Sequence, residues 1–256
     1  MIHKLFIISL LMLCVVPILA QDDTEESSFN PDTAIVRVGH FIPDAPDVDI
    51  YLDGELALTG LAFGEISEWS FLDAGRYLIE VYEAGAVDTV EESSDSDDEA
   101  ADSVEVVAAA VPLLSGNFNF GAGSQVTITA MGTVENNSTA FGWFFDDYSR
   151  TIEEGSVGVT IYHAIDAAQG VDIYADGELL LEDVAYPSAS NALSGARTID
   201  VPAGQYDLSI TVANDVETEL LTADGVDFLE GSFYTVVAIG LPLEPDVIVV
   251  RTSTDG

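Results

Sequence analysis

The chain has 256 residues, of which 46 are Asp or Glu, six are Lys or Arg and one is Cys. The first 20 residues have the pattern of an export signal. The chain without them contains five Arg, 46 acidic residues and no Cys, which gives a net charge of −41. This charge repels phosphate backbones and anionic lipid headgroups, which excludes binding to nucleic acid or to an anionic membrane surface. The absence of a thiol excludes disulfides, thiolate catalysis and cysteine metal sites.

Residues 1–20 form the first predicted element, a secretory signal peptide. Lys4 is followed by an apolar run of about 15 residues, and Ala20 offers a small residue at the cleavage point. Two alternatives are an uncleaved anchor and a lipid anchor at Cys14, although Leu13 stands where the latter needs a small residue. The signal predicts a secreted or extracytoplasmic protein, with association with the cell envelope as one form of it. Residues 21–32 are polar and acidic, and we expect a disordered linker there.

The rest of the chain is an internal repeat. The segment 40–56, HFIPDAPDVDIYLDGEL, aligns without a gap on 163–179, HAIDAAQGVDIYADGEL, at an offset of 123 residues. Further matches, among them an Ala-Gly-x-Tyr turn, continue to the end of each copy. The repeat predicts one domain over 33–149, carrying an acidic loop insert at 88–102, and a second over 150–256.

Each copy is predicted to consist of short strands. Val48, Ile50 and Leu52 alternate with polar residues, as in a half-buried strand. Asp-Gly pairs at 53–54 and 176–177 then supply residues suited to positive φ, a strong hairpin signal. About seven strands per copy, with no helical periodicity, favour two tandem immunoglobulin-like antiparallel β-sandwich domains.

The segment 36–54, VRVGHFIPDAPDVDIYLDG, resembles the opening signature of the domain-of-unknown-function family 4397. The turn at 73–77 and the strand at 231–240 continue the resemblance, which covers both halves of the chain. It implies an exported bacterial β-sandwich and carries no established activity, so it implies no catalytic residue. The second copy departs from the signature, because Asp166-Ala-Ala-Gln replaces the Pro-Asp-Ala-Pro loop. The first copy is therefore the better candidate for a ligand.

Each copy has one histidine, at the same place in the repeat. A histidine that ends an inward-facing stripe is most often packed, with its ring nitrogens holding the following loop, and Asp49 or Asp172 could be its partner. The other interpretation is a ligand-binding or pH-sensing role. The candidate ligand-binding residues are His40, Asp44, Asp47 and Asp49, and the residues expected to be structural are His163, Asp172, Gly54 and Gly177.

Metal and cofactor signals are weak. One histidine per domain is too few for a zinc site. The acidic run that begins at Asp95 fails as an EF-hand, because Ala100 and Val106 stand where Gly and Glu are required. We expect no cofactor and at most weak, diffuse binding of Ca²⁺.

Signals for catalysis are also missing, since the sequence has no nucleophile elbow, phosphate-binding loop or zinc-protease helix. The aromatic segment 141–148, FGWFFDDY, either packs against the second copy or forms a platform for a partner or sugar. The first hypothesis is a non-catalytic exported or cell-envelope module that acts in surface display or binds a cell-surface protein or glycan. The alternatives are a Ca²⁺- or salt-stabilised adhesive protein and, less favoured, a carboxylate-based hydrolase.

Overall fold

The computed structural model describes residues 32–87, 110–146, 148, 150–168, 170–187 and 195–252. The predicted signal at 1–20, almost all of the acidic linker and the acidic insert at 88–102 lie outside these residues. All regular elements among the described residues are strands, which confirms the all-β class. No helix among them is long and apolar enough to cross a membrane.

The first repeat contains eight strands, one more than the sequence indicated: β1 (Thr33–Phe41), β2 (Val48–Leu52), β3 (Glu55–Leu61), β4 (Ser70–Asp73), β5 (Gly75–Glu83), β6 (Leu114–Phe120), β7 (Gln125–Met131) and β8 (Ala140–Phe145). They form two four-stranded sheets, in the orders β4-β1-β7-β8 and β3-β2-β5-β6. We call these the inner and the outer sheet of the first repeat.

The second repeat has the same plan, with strands β9 (Ser156–Ile165), β10 (Gly170–Ala175), β11 (Glu178–Ala185), β12 (Ala196–Pro202), β13 (Gly204–Val212), β14 (Asp215–Phe228), β15 (Phe233–Leu241) and β16 (Glu244–Thr252). Its inner sheet has the order β12-β9-β15-β16 and its outer sheet the order β11-β10-β13-β14. The prediction of two β-sandwiches is confirmed.

The sheets are not wholly antiparallel, as the sequence had suggested. In the first repeat β1 runs parallel to β7, with Ile35 opposite Gln125 and Phe41 opposite Met131. In the second repeat β9 runs parallel to β15 in the same way. The first and the seventh strand of a repeat share no local turn, so only the assembled sandwich sets their direction.

The four sheets stack as four layers. One core lies between the two sheets of the first repeat, around residues such as Val38, Ile50 and Ile128. A second core lies between the two sheets of the second repeat. A third joins Phe41 and Phe144 of the first repeat to Tyr162 and Ile239 of the second. The two inner sheets therefore pack face to face.

The stacking explains why the inner strands lack a polar face. Eight of the nine residues of β15 are buried, and all of β9 is buried except its first residue. A strand covered on both faces reads as a continuous apolar run and not as an alternating one. Thr129 and Tyr162 meet across the interface, with their hydroxyl oxygens 3.0 Å apart.

Candidate functional site

His40 and His163 are both fully buried. Nε2 of His40 lies 3.1 Å from the carbonyl oxygen of Pro46, and its Nδ1 accepts from the backbone N–H of Ile42. Burial lowers the pKa of His40, opposed by the Pro46 carbonyl and by the charge of Asp47. This ring therefore holds the Pro-Asp-Ala-Pro loop against the end of β1.

His163 repeats the Nδ1 contact, accepting from the N–H of Ile165. Its Nε2 has no hydrogen-bond partner among the described residues. The nearby carbonyl of Ala168 still favours the protonated ring slightly, without reaching hydrogen-bonding geometry. Burial is the larger effect and lowers the pKa of His163 to about 4.

Asp49 and Asp172 do not bind these histidines. The Asp49 carboxylate accepts from the Thr59 hydroxyl and from the N–H groups of Gly60 and Gly85, at 2.8 to 2.9 Å. Burial alone would raise the pKa of Asp49, but these three donors outweigh it and lower the pKa.

Asp172 occupies the same position in the second repeat and accepts from the N–H groups of Asp183 and Asn214. The backbone donors in both copies have positive φ, namely Gly60, Gly85, Asp183 and Asn214. Each Asp therefore links the second strand of its repeat to two other segments, at residues whose backbone has positive φ.

Asp44 and Asp47 do not complete a ligand site with Asp49. The exposed carboxylate of Asp44 accepts from the N–H groups of Val134 and Glu135 and so holds the loop between β7 and β8. Asp47 is exposed. The described residues contain no group of three or more His, Cys, Asp or Glu side chains that could hold a metal ion.

The Asp-Gly pairs form the expected turns. Asp53 and Gly54 have φ values of 51° and 85°, and Asp176 and Gly177 have 52° and 78°. Two successive positive φ values match the twist of a tight hairpin. The Asp53 carboxylate also accepts from the N–H of Leu78, which ties the turn to β5.

The cavity with the clearest binding chemistry lies elsewhere, between β6 and β8 at one open side of the first sandwich. We call it the aromatic cleft. It has a volume of about 550 Å³, and its aromatic lining residues are Phe118, Phe120, Phe141, Trp143 and Phe145. Phe118 meets Phe141 edge to face at 5.1 Å between ring centroids and Trp143 at 5.9 Å. Phe145 is 57% exposed at the mouth.

Strand geometry divides the aromatic segment between two roles. Successive side chains of a strand point to opposite faces. Phe141, Trp143 and Phe145 face the cleft, whereas Phe144 is buried against Tyr162 of the second repeat at 4.7 Å between ring centroids. The structure thus shows packing against the second repeat for Phe144, and the platform interpretation stays a prediction for Phe141, Trp143 and Phe145.

The second repeat has other residues at most of the positions that line this cleft, although Phe228 stands where Phe120 does. The strand registers pair Phe118 with Tyr77 in the first repeat and Val226 with Tyr206 in the second. Likewise Trp143 stands opposite Ile128, while Val249 stands opposite Val236. Counted along the same strands, the counterparts of Phe141 and Phe145 are Val247 and Arg251. The common fold therefore does not require these aromatic residues.

Among the described residues, the lining of the cleft carries no charge, in a protein with a net charge of −40. Asn117 and Asn119 also belong to the lining; they are exposed and alternate along β6 with Phe118 and Phe120. The hydroxyl of Ser124 donates to the Gly121 carbonyl at 2.7 Å. The cleft can accept an apolar group beside an open strand edge.

The residues that the sequence predicts for a binding platform form only one wall of this cleft, on β8. Phe118 and Phe120 of β6 are not among them. The alternation Asn-Phe-Asn-Phe at 117–120 was the available signal, because it predicts a strand with one aromatic face.

The fold and the cleft define a tandem β-sandwich protein with one specialised repeat. The chain belongs to the family described as Domain of unknown function (DUF4397), whose model matches residues 34–169 and again 157–255. This confirms the resemblance and the two copies. No curated protein matches the chain in sequence.

The solved structures that match the chain share little of its sequence and superpose poorly on it. The Bacillus anthracis TIE protein is 10% identical with a TM-score of 0.23 over 80% of this chain, which spans only 33% of that one. A CBM26 module of Eubacterium rectale Amy13K, solved with maltoheptaose, is 10% identical with a TM-score of 0.24, covering 87% of this chain and 98% of that one. The fimbrial anchor protein Mfa2 of Porphyromonas gingivalis is 10% identical with a TM-score of 0.20, covering 86% and 98%. Likeness at this level carries no functional argument.

Proposed function

We propose that this protein is an exported, non-catalytic binding module of the cell envelope or its surroundings, and that it binds its ligand in the aromatic cleft of the first repeat. One observation carries the proposal. The same scaffold occurs twice in the chain, and only the first copy places Phe118, Phe141, Trp143 and Phe145 around an open cavity. Aromatic residues that the fold does not need, left partly exposed, are typical of a binding surface.

The chemistry of the cleft supports binding over catalysis. Of the lining residues that the structure describes, Ser124 alone has a hydroxyl, which donates to a backbone carbonyl, and none is an acid or a base. The buried carboxylates of Asp49, Asp146 and Asp172 accept hydrogen bonds from donors of their own chain. These carboxylates therefore stabilise the fold.

A protein ligand fits the cleft better than a glycan. Sugars bind through aromatic stacking together with several hydrogen bonds from polar side chains, and among the described lining residues only Asn117, Asn119 and Ser124 have polar side chains, with the Ser124 hydroxyl already donating to the Gly121 carbonyl. An aliphatic or aromatic side chain would instead fill the cavity and lose its contact with water. Burying such a side chain contributes about 2 kcal/mol.

Binding to two panels tests the proposal: a peptide library displayed on phage and an array of neutral oligosaccharides. Phe145→Ala should weaken any interaction of the wild-type protein by about tenfold or more, because it removes the wall at the mouth of the cleft. Phe71→Ala is the matched control, since Phe71 is 61% exposed on β4, at the opposite edge of the same sheet. Equal binding by Phe145→Ala and wild type, or no binding on either panel, would overturn the proposal.

A further inference from the structure

The aromatic cleft is bordered by two strand edges. β6 ends the outer sheet of the first repeat and β8 ends the inner sheet, so each has a neighbour on one side only among the described residues. Proteins usually protect such edges with charged residues, Pro or bulges. β6 has the sequence LSGNFNF, with no charge and no Pro, and it pairs with β5 without a register shift.

We infer that the ligand is an extended segment of another protein, which adds as a strand to the free edge of β6 and inserts one apolar side chain into the aromatic cleft. The inference rests on the proposed function and specifies its partner. Strand addition combines main-chain hydrogen bonds along the edge with a pocket that accepts alternate side chains. β6 and the cleft beside it supply both.

β6 is a better acceptor than β8. Asn117 and Asn119 of β6 are exposed on the side of the outer sheet that faces away from the first core. A strand added there would meet solvent on its outer side. β8 belongs to the inner sheet, where Gly142 and Phe144 already pack against Tyr162 of the second repeat.

Charge defines the flanks of the partner segment. The uncharged lining favours a neutral side chain in the cleft itself. On the neighbouring strand β5, Glu80 stands opposite Ser115 and Arg76 opposite Asn119, so one acid and one base balance each other beside the edge. Farther from this edge, the electrostatic potential is negative, because the whole protein has 46 acidic residues. A segment with Lys or Arg on either side of its apolar centre would be attracted, whereas an acidic segment or a second copy of this chain would be repelled.

The probe is a synthetic peptide with a central Phe, Val and Thr alternating around it, and two Lys at each end, titrated against the full chain by calorimetry. We expect saturable binding that Phe145→Ala weakens by about tenfold or more and that Phe71→Ala preserves. Replacing the Lys residues by Glu should abolish binding, and added NaCl should weaken the binding of the Lys peptide.

Two peptides modified along the backbone test strand addition itself. One is N-methylated at alternate residues that include Phe, the other at the intervening residues. An added strand donates to β6 from one of its edges only, so one pattern should weaken binding by about tenfold or more and the other much less.

The outcomes separate the two proposals. Binding that depends on Phe145 but tolerates both N-methylation patterns would overturn strand addition and leave the cleft as the site. If the protein binds an oligosaccharide and no peptide, and Phe145→Ala abolishes this binding, strand addition is again overturned and the cleft remains the site. Binding unaffected by Phe145→Ala overturns both proposals. Self-association in sedimentation runs at 0.15 M NaCl, lost in Phe145→Ala, would identify a second copy as the occupant and overturn the basic partner segment.

Discussion

Arg37 and Asp146 form an ion pair of 3.0 Å whose side chains are 2% and 0% exposed, at the plane where the two repeats meet. The Arg37 guanidinium also donates to Thr127, Tyr148 and Thr235, the last of which belongs to the second repeat. Burial raises the pKa of Asp146, opposed by the charge of Arg37 and by the donors around it. The counterpart of Arg37 in the second repeat is Thr160, so this network exists once and fixes how the two repeats meet.

Breaking this pair should be costly. Asp146→Asn leaves the Arg37 guanidinium buried without its counter-charge, and we expect a loss of about 3 kcal/mol in the free energy of unfolding, measured with urea. Asp200→Asn is the control, because Asp200 and its partner Arg150 are 36% and 24% exposed, so solvent screens this pair more and its loss should cost less than about 1 kcal/mol. The double change Arg37→Met with Asp146→Leu should recover most of the stability. An Asp146→Asn loss no larger than that of Asp200→Asn would contradict the argument.

The close approach of the two inner sheets depends on Gly142. A Cβ at this position would overlap the Tyr162 hydroxyl and crowd the Thr129 hydroxyl. Gly142→Ala should therefore cost about 1–3 kcal/mol in a urea unfolding experiment. Adding Tyr162→Phe removes the overlapping oxygen and should restore part of the loss. Gly121→Ala, where a Cβ meets nothing within 4 Å, should be close to neutral.

Stability should depend on the protonation of His163. The pKa is about 4 in the fold and 6.5 in the unfolded chain. Between these values the unfolded state binds the proton and the folded state does not. Stability from this group is therefore complete above pH 6.5, falls by up to about 3 kcal/mol toward pH 4, and changes no further below it. The difference between wild type and His163→Gln, followed by urea unfolding from pH 7.5 to 4, isolates this effect; a constant difference would contradict the prediction.

The Asp49 carboxylate should stabilise the first repeat. Asp49→Asn places an amide group against donors that need an acceptor, and we expect a loss of about 2 kcal/mol near pH 7. The pKa of Asp49 is lowered from 3.8, so its contribution is present above pH 3.8 and is lost as the pH falls through the folded value. The variant and the wild type should then converge. Asp47→Asn, two residues away and exposed, should change stability by less than about 0.5 kcal/mol near pH 7.

Salt should stabilise the protein without a specific requirement for calcium. The 46 acidic residues repel one another, and screening by NaCl relieves that repulsion, so we expect Tm to rise from 10 mM to 0.5 M NaCl. Micromolar CaCl₂ at constant ionic strength should leave Tm unchanged. A calcium-dependent gain reversed by EDTA would favour the Ca²⁺-stabilised adhesive protein instead.

The sequence by itself determined the features that depend on neighbours along the chain. The repeat, the strand class and the turns at Asp53-Gly54 and Asp176-Gly177 follow from alternation over a few residues and from backbone preferences at single positions. The family signature likewise lies in short contiguous segments. These signals can be recognised in the sequence even when the pairing of the strands is unknown.

The tertiary structure alone decided what distant strands share. Arg37 and Asp146 are 109 positions apart, and the two walls of the aromatic cleft, at Phe118 and Trp143, belong to different sheets. The histidines look identical in sequence, yet only the Nε2 of His40 finds a hydrogen-bond partner among the described residues. The folded chain also brings the N–H groups of Gly60 and Gly85 to the carboxylate of Asp49, a contact that the sequence does not predict. Such contacts arise from the register of strands and the stacking of layers, which many side chains set together and no local pattern encodes.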